Sequence, residues 1–553
     1  MKVAIFFLYI VLLILIPQFF AIDNILTSYI SQVMYWAVSF LLAFMLVIER
    51  KQEKFFLFYV MSYIIMISSW HIMFFKYPLS PDVVYENQIV SNIISTGFIG
   101  SPSEYYYASR LYSEFPLLEV LTTSLTLMYG IDSLVILKYL WIAVKACLIV
   151  TSLILFKEIF AKEFENIEKM ELSWLAWFWV LMFLASSSSI YFFSFSVHSL
   201  FATLFVILYF HSIYKRNILS AIISCIALAF SHNATLYIFA LALLLWLIIV
   251  TITSLFKDVT DSILRRFPQL IALASLTILT VIILWSAQMN FNTIVTRLIQ
   301  SLVFPEELYS EKIVGAAISP IKPLIYKILG TLGEIILLII FAINITYFFK
   351  KVINSLITGT VLSLITFYSL LYIIGSSVSI LVLGTGADQV VRFIFYLNFI
   401  IPLPICISMM RWKNLSKKLN FVSFILVLLF LLTGIYGIVP PAVYDKTISW
   451  SMDDPRFFLR YGNSLWSVGD YILKYKQGHP IISIALGYYY LGGRGIPFTS
   501  LCKIGMQHAS LILLRRSIEN VSDYCGITLN LKALYSEHSI LYDSGEIFLV
   551  LKY

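Results

Sequence analysis

The sequence predicts an all-α polytopic membrane bundle of about 13 transmembrane helices with a small α/β soluble C-terminal domain. Three observations carry the helical membrane reading. Apolar runs of about 20 residues recur along the chain, the length an α-helix needs to cross a bilayer core. Of the 553 residues, 60% are hydrophobic and only 12% charged, with mean hydropathy +0.90; a soluble domain usually carries about 25% charged residues. Lysine and arginine are dense and sparse by turns in successive loops, as the positive-inside rule requires.

The expected spans are 3–20, 28–48, 55–73, 133–156, 173–188, 197–213, 217–231, 234–255, 268–287, 331–349, 354–373, 390–410 and 420–438. Segment 1–20 reads as an uncleaved helix rather than a signal peptide, because its apolar run is long and no small-x-small site follows. With the N-terminus in the cytoplasm, the inner loops carry Arg50, Lys51, Lys54, Lys157, Lys162, Lys169, Lys215, Arg216, Lys257, Arg265, Arg266, Lys350, Lys351, Arg411, Lys413, Lys417 and Lys418. The longer outer loops carry only Lys76, Arg110, Arg297, Lys312, Lys322 and Lys327. The net charge of +8 therefore sits in short tufts between apolar spans, which excludes a phosphate-tracking face for nucleic acid.

An odd number of spans leaves residues 439–553 outside as a separate domain, beyond a transmembrane domain of residues 1–438. Pro440-Pro441 marks its start. Ile481–Leu486 and Ile547–Leu551 read as strands and Ala509–Glu519 as a helix, hence small α/β. Cys502 and Cys525 stand either as a disulfide, which an outer compartment permits, or as two buried thiols. Asn520-Val521-Ser522 is an outward glycan acceptor sequence. No CxxC or Cys/His metal spacing occurs.

Two outer loops are long, 74–132 and 288–330, and long ordered-looking loops are usually functional. In the first, Asp82 follows the third span by about nine residues, a distance that sets it near the outer membrane surface. Glu86 shares its helical face at i+4, and Pro81 is a favourable first helical residue. Val83, Val84, Ile89, Val90, Ile93 and Ile94 make this helix amphipathic, and Gly97 and Gly100 end it. A tyrosine cluster follows at Tyr105, Tyr106, Tyr107 and Tyr112. Phe115-Pro116 opens a second amphipathic helix that runs to Gly130. The loop is acidic, with Asp82, Glu86, Glu104, Glu114, Glu119 and Asp132 against Lys76 and Arg110. A carboxylate so placed suits proton abstraction from an acceptor, or a metal held beside a phosphate; its structural alternative is an acid favoured by the helix dipole.

Other polar groups reach the same membrane level: His198 opens one span, His232-Asn233 closes another, and Asp388 with Arg392 leads into span 390–410. Convergence of that kind is what a site needs. The histidines also suit capping or interfacial places, and Arg392 also suits snorkelling to head groups. Lys138 and Lys145, seven residues apart on one helical face, sit in span 133–156, where a lysine marks either function or a partnered structural charge.

The first outer loop, with Asp82 after an early span, the stretch ISTGFIG, a tyrosine-rich segment and then FPLLEVLTTSLTLMYGI, resembles that of GT-C glycosyltransferases. Protein O-mannosyltransferases, aminoarabinose transferases and oligosaccharyltransferases belong to that superfamily. The resemblance covers the chain in architecture and about 60 residues in local pattern. The Trp-Trp-Asp signature of oligosaccharyltransferases is absent, which favours transfer of a single sugar. The resemblance implies a donor sugar linked to polyprenyl phosphate, an acceptor that is protein, lipid or glycan, and contact with membrane lipid. It matches Asp82 to the catalytic first-loop acid, with Glu86 as a second, and assigns Arg392, His232 and His198 to the donor phosphate. The resemblance makes no cofactor certain: many members pair adjacent acids in this loop, whereas Pro81-Asp82-Val83 leaves a divalent metal ion open. The alternatives are a membrane transporter or flippase, and a polysaccharide polymerase or ligase.

Overall fold

The computed structural model describes residues 81–100, 115–163, 198–255, 268–283 and 361–383, short strands between 481 and 551, and single helical positions elsewhere. The expected spans 3–20, 28–48, 55–73, 173–188, 331–349, 390–410 and 420–438 lie outside the described residues but for such single positions. The tyrosine cluster, the loop 288–330, Asp388, Arg392, Cys502 and Cys525 also lie outside them.

The stretch expected as the first outer loop supplies two helices. Helix α1 spans Pro81–Thr96, with proline as its first residue as expected. It ends at Gly97, whose φ of +78° lets its N–H turn back to the Ile93 carbonyl at 2.9 Å. Asn92 seals that end, its Nδ2 donating to the Ile99 carbonyl at 3.1 Å. The buried stripe of α1 is Val83, Glu86, Ile89 and Val90, so a carboxylate lies within the apolar face. Helix α2 spans Leu117–Tyr129 and ends at Gly130, left-handed at φ 64°, whose N–H reaches the Thr126 carbonyl. Its buried stripe is Leu118, Glu119, Thr122 and Thr123.

Helix α3, Ser133–Glu163, is the longest described, at 31 residues or about 46 Å. The Asp132 carboxylate caps it by accepting from the Leu134 N–H at 2.8 Å. It runs about two turns beyond the expected end at 156, carrying Lys157 and Glu158 still in helix. Helices α4, His198–Tyr214, and α5, Ile218–Ala229, form a hairpin. Arg216, at φ 58°, turns the chain, and the Asn217 side chain accepts from Ser220 N–H to start α5. Helix α6 spans Asn233–Leu255, α7 Pro268–Ile283, and α8 Val361–Leu383.

Ser133–Ile159 and Thr235–Ile252 are long and apolar enough to cross a membrane, and α8 is an apolar helix of 23 residues. Helix α5, at 12 residues, is about 18 Å long, less than the hydrocarbon core that the expected span 217–231 was to cross.

Packing gathers these helices around α4. It lies against α5 and α3 and also touches α6 and α8; α6 packs on α8, while α1 and α2 pack on each other and both on α3. Tyr209 and Phe210 of α4, Phe239 of α6 and Tyr368 of α8 interlock edge to face, with ring centroids 5.0 to 6.3 Å apart. The Trp246 indole N–H donates to Ser363 Oγ at 2.9 Å, joining α6 to α8. Away from the first-loop helices, Glu158 of α3 holds Lys215 at 2.6 Å, and Tyr214 donates to the Glu158 carbonyl.

In the C-terminal segment, β1 (Ile481–Ser483), β2 (Phe498–Thr499), β3 (Leu511–Arg515), β6 (Ser539–Asp543) and β7 (Ile547–Leu551) form a mixed sheet in the order β2-β1-β3-β7-β6. Strands β4 (Asn520–Ser522) and β5 (Thr528–Asn530) pair separately, and β4 is the glycan acceptor sequence. The helix expected over Ala509–Glu519 is overturned, because its central residues form β3. Leu511–Leu514 is an unbroken apolar run without helical periodicity, and it takes the central place in the sheet, parallel to β1 and antiparallel to β7.

Candidate functional site

Four elements converge where the first-loop helices meet the bundle. Helix α1 contributes Glu86, α2 contributes Glu119, the first residue of α4 is His198, and α3 contributes Trp141. His198 Nε2 lies 2.8 Å from Glu86 Oε1 and 3.5 Å from Glu119 Oε1. Its other ring nitrogen, Nδ1, faces the Ser231 carbonyl at 3.4 Å. The Trp141 ring meets the imidazole edge to face at 6.2 Å. Glu86, Glu119 and Trp141 are fully buried, and His198 nearly so.

Local sequence explains why these side chains meet. Glu86 and Glu119 each sit in the inward stripe of an otherwise apolar face, so burying the face carries the acid inward. The corner between α5 and α6 completes the frame. The Phe230 carbonyl accepts from Leu117 N–H at 3.1 Å, which holds the start of α2, and the next carbonyl, that of Ser231, faces His198. On the other side, Ser133 Oγ donates to Asn87 Oδ1 at 2.6 Å, tying α1 to α3.

Electrostatics follow from the geometry. His198 Nε2 lies within ion-pair distance of both carboxyl groups without hydrogen-bond geometry to either, and Nδ1 faces the Ser231 carbonyl, so oxygen atoms surround the ring and favour its charged form. Two carboxylates so close and so dry resist ionising together. Burial pushes the Glu119 carboxyl up from 4.5 to about 8; His198 opposes the rise and the charge of Glu86 adds to it. Glu119 is then the group in the cluster that keeps its proton near neutral pH. Chemically it is a buried acid–base set able to keep or pass a proton. Among the described residues no group of three or more His, Cys, Asp and Glu side chains has an arrangement that would hold a metal ion.

The residues singled out from sequence fall differently. Asp82 lies in the first turn of α1, one turn before Glu86; its side chain is outside the described residues. Glu86 and His198 touch each other. His232 sits at the same corner, one residue after Ser231, and its Nδ1 accepts from Thr235 N–H at 3.2 Å, which is the geometry of a cap at the start of α6. Arg392 is outside the described residues. Lys145 is fully buried on α3 one turn beyond Trp141, and Lys138 is buried on the same helix. Sequence reasoning counted Glu119 among the loop acids without giving it a role. The available signal was a lone acid in LLEVLTTSL beside Thr122 and Thr123, which form one stripe.

No protein-family model matches the sequence, and no curated protein matches it. Two solved structures follow a similar chain path. ArnT from Cupriavidus metallidurans bound to undecaprenyl phosphate has a TM-score of 0.49 and 8% identity, over 89% of this chain and 97% of that one. ArnT from the same organism in the apo state has a TM-score of 0.44 and 10% identity, over 86% and 94%. At such identities the chemistry of this chain rests on its own residues.

Proposed function

We propose that this protein is a multi-spanning membrane glycosyltransferase that moves a sugar from a polyprenyl-phosphate-linked donor to an acceptor outside the cytoplasm. In this reading residues 1–438 form the transmembrane domain and 439–553 an extracytoplasmic domain, with the N-terminus in the cytoplasm. Asp82 is the general base that activates the acceptor, Arg392 and His232 face the donor phosphate, and His198, whose Nε2 faces Glu86 and Glu119, serves the site through α1 rather than by meeting the phosphate. The single observation that carries the reading is the docking of the acidic first-loop helix α1 onto the bundle through the Glu86–His198 contact of 2.8 Å. A helix held in this way keeps its first turn, and Asp82 with it, in a constant relation to the end of the bundle, and positioned acids are what general base catalysis needs. Glu86, fully buried against His198, is better suited to holding α1 than to meeting an acceptor.

The test is sugar transfer in membranes from polyprenyl-phosphate sugars by the parent and by Asp82→Asn. Loss of turnover with donor binding retained is expected. Unimpaired turnover would remove Asp82 from the mechanism, and failure of the parent to bind any such donor would remove the reading itself. The transporter reading draws on Lys145, which is buried mid-helix with no hydrogen-bond partner among the described residues. Passage of a soluble solute across vesicles containing the protein, without donor binding, would favour it.

A further inference from the structure

We propose that Glu86, His198 and Glu119 act as one proton-sharing lock that seats the first-loop helices on the bundle, with His198 and Glu119 as positioning residues for the helix that carries Asp82. The positioning role rests on the transferase reading; the lock does not.

The geometry assigns the lock to contacts between elements rather than within one. Glu86 belongs to α1, Glu119 to α2 and His198 to α4, and all three side chains are buried. Two neutral hydrogen bonds also tie α1 and α2 to the bundle, Ser133 to Asn87 and Leu117 to Phe230. The contact between Glu86 and His198 is instead one between opposite charges in a dry site, where their attraction is little screened. It is also conditional, because it needs the imidazolium and a single negative charge. The groups that face it are few. Around it, α1 offers Glu86, α2 Glu119, α4 His198, α3 the buried Lys138 and Lys145, and the α5–α6 corner the capping His232. The sequences of α5, α6 and α8 contain no Asp, Glu, Lys, Arg or His. When Glu119 loses its proton, a second negative charge enters a dry cluster in which Glu86 and Glu119 share one imidazole, and the seat of α1 and α2 weakens.

The experiment introduces Asn87→Cys with Ser133→Cys, a pair whose native side chains are 2.6 Å apart, and follows disulfide formation in the full chain by peptide mapping at pH 7. The expected result is equal crosslinking in the parent and in Glu119→Gln, and at least a fivefold slower reaction in His198→Ala and Glu119→Leu. Equal rates in all four would overturn the lock. Should the two disruptive variants fail to give monodisperse protein, His198→Gln supplies the same comparison. A slower rate upholds the lock and a parental rate overturns it. Where the parent transfers sugar, its turnover is expected to fall about tenfold per unit above pH 8, as loss of one required proton dictates, and Glu119→Gln to remove that limb with the donor KM unchanged. Parallel pH profiles for the parent and Glu119→Gln would overturn the positioning role. Crosslinking needs no donor, so slowed crosslinking without sugar transfer sinks the transferase reading alone. Sugar transfer with unchanged crosslinking sinks the lock alone.

Discussion

His198 on α4 and Glu86 on α1 stand 2.8 Å apart at a point that is nearly dry. Their contact joins a loop helix to the bundle, and it shares its histidine nitrogen with Glu119 on a third helix.

Removing that histidine leaves two buried carboxyl groups without their shared imidazole partner. Breaking a buried pair by deleting one partner costs about 3–5 kcal/mol. His198→Ala is therefore expected to lower the midpoint of thermal unfolding in detergent and to open the first loop to protease. An unchanged midpoint and cleavage pattern would show that the pair holds nothing.

Glu119 makes stability depend on pH. Its folded value of about 8 lies above its ordinary 4.5, so its contribution is complete below about 4.5 and is lost as pH rises through about 8. The thermal midpoint of the parent should fall relative to that of Glu119→Gln across this window. Curves that stay parallel from pH 5 to pH 9 would contradict the buried, protonated acid.

His232 separates capping from ligand binding. Its Nδ1 accepts from the N–H of Thr235. His232→Ala should cost about 1 kcal/mol, and His232→Asn should restore most of it, since asparagine caps well. If donor binding falls in His232→Asn while stability is regained, the imidazole has a role in the donor site besides the cap.

Gly130 ends α2 at φ +64°, and a Cβ built there meets nothing within 4 Å. The cost of Gly130→Ala is therefore backbone strain alone, about 1–2 kcal/mol. A thermal melt would measure it, and no loss would mean that α2 ends in another way.

Much of the first loop was legible from local rules. Pro81 and Gly97 bound α1, and Pro116 and Gly130 bound α2, because a missing N–H suits one helix end and a positive φ the other. The strand Ile547–Leu551 was read within its bounds. The helix expected at Ala509–Glu519 was misread, because a short apolar run has no period of its own and pairing on both sides made Leu511–Arg515 a strand. Lys157 was read as a loop residue, yet α3 runs through it, since charge marks an end of burial more reliably than an end of helix.

By itself the sequence determined which segments are apolar, where several helices begin and end, and which acids lie on the first loop. Those properties follow from residue type and spacing along one segment. Only the tertiary structure decided that Glu86 and Glu119 face the same imidazole, and that His232 caps α6. Contact between α1, α2 and α4 depends on how three buried stripes pack together, and a stripe states which face turns inward without stating what it will meet.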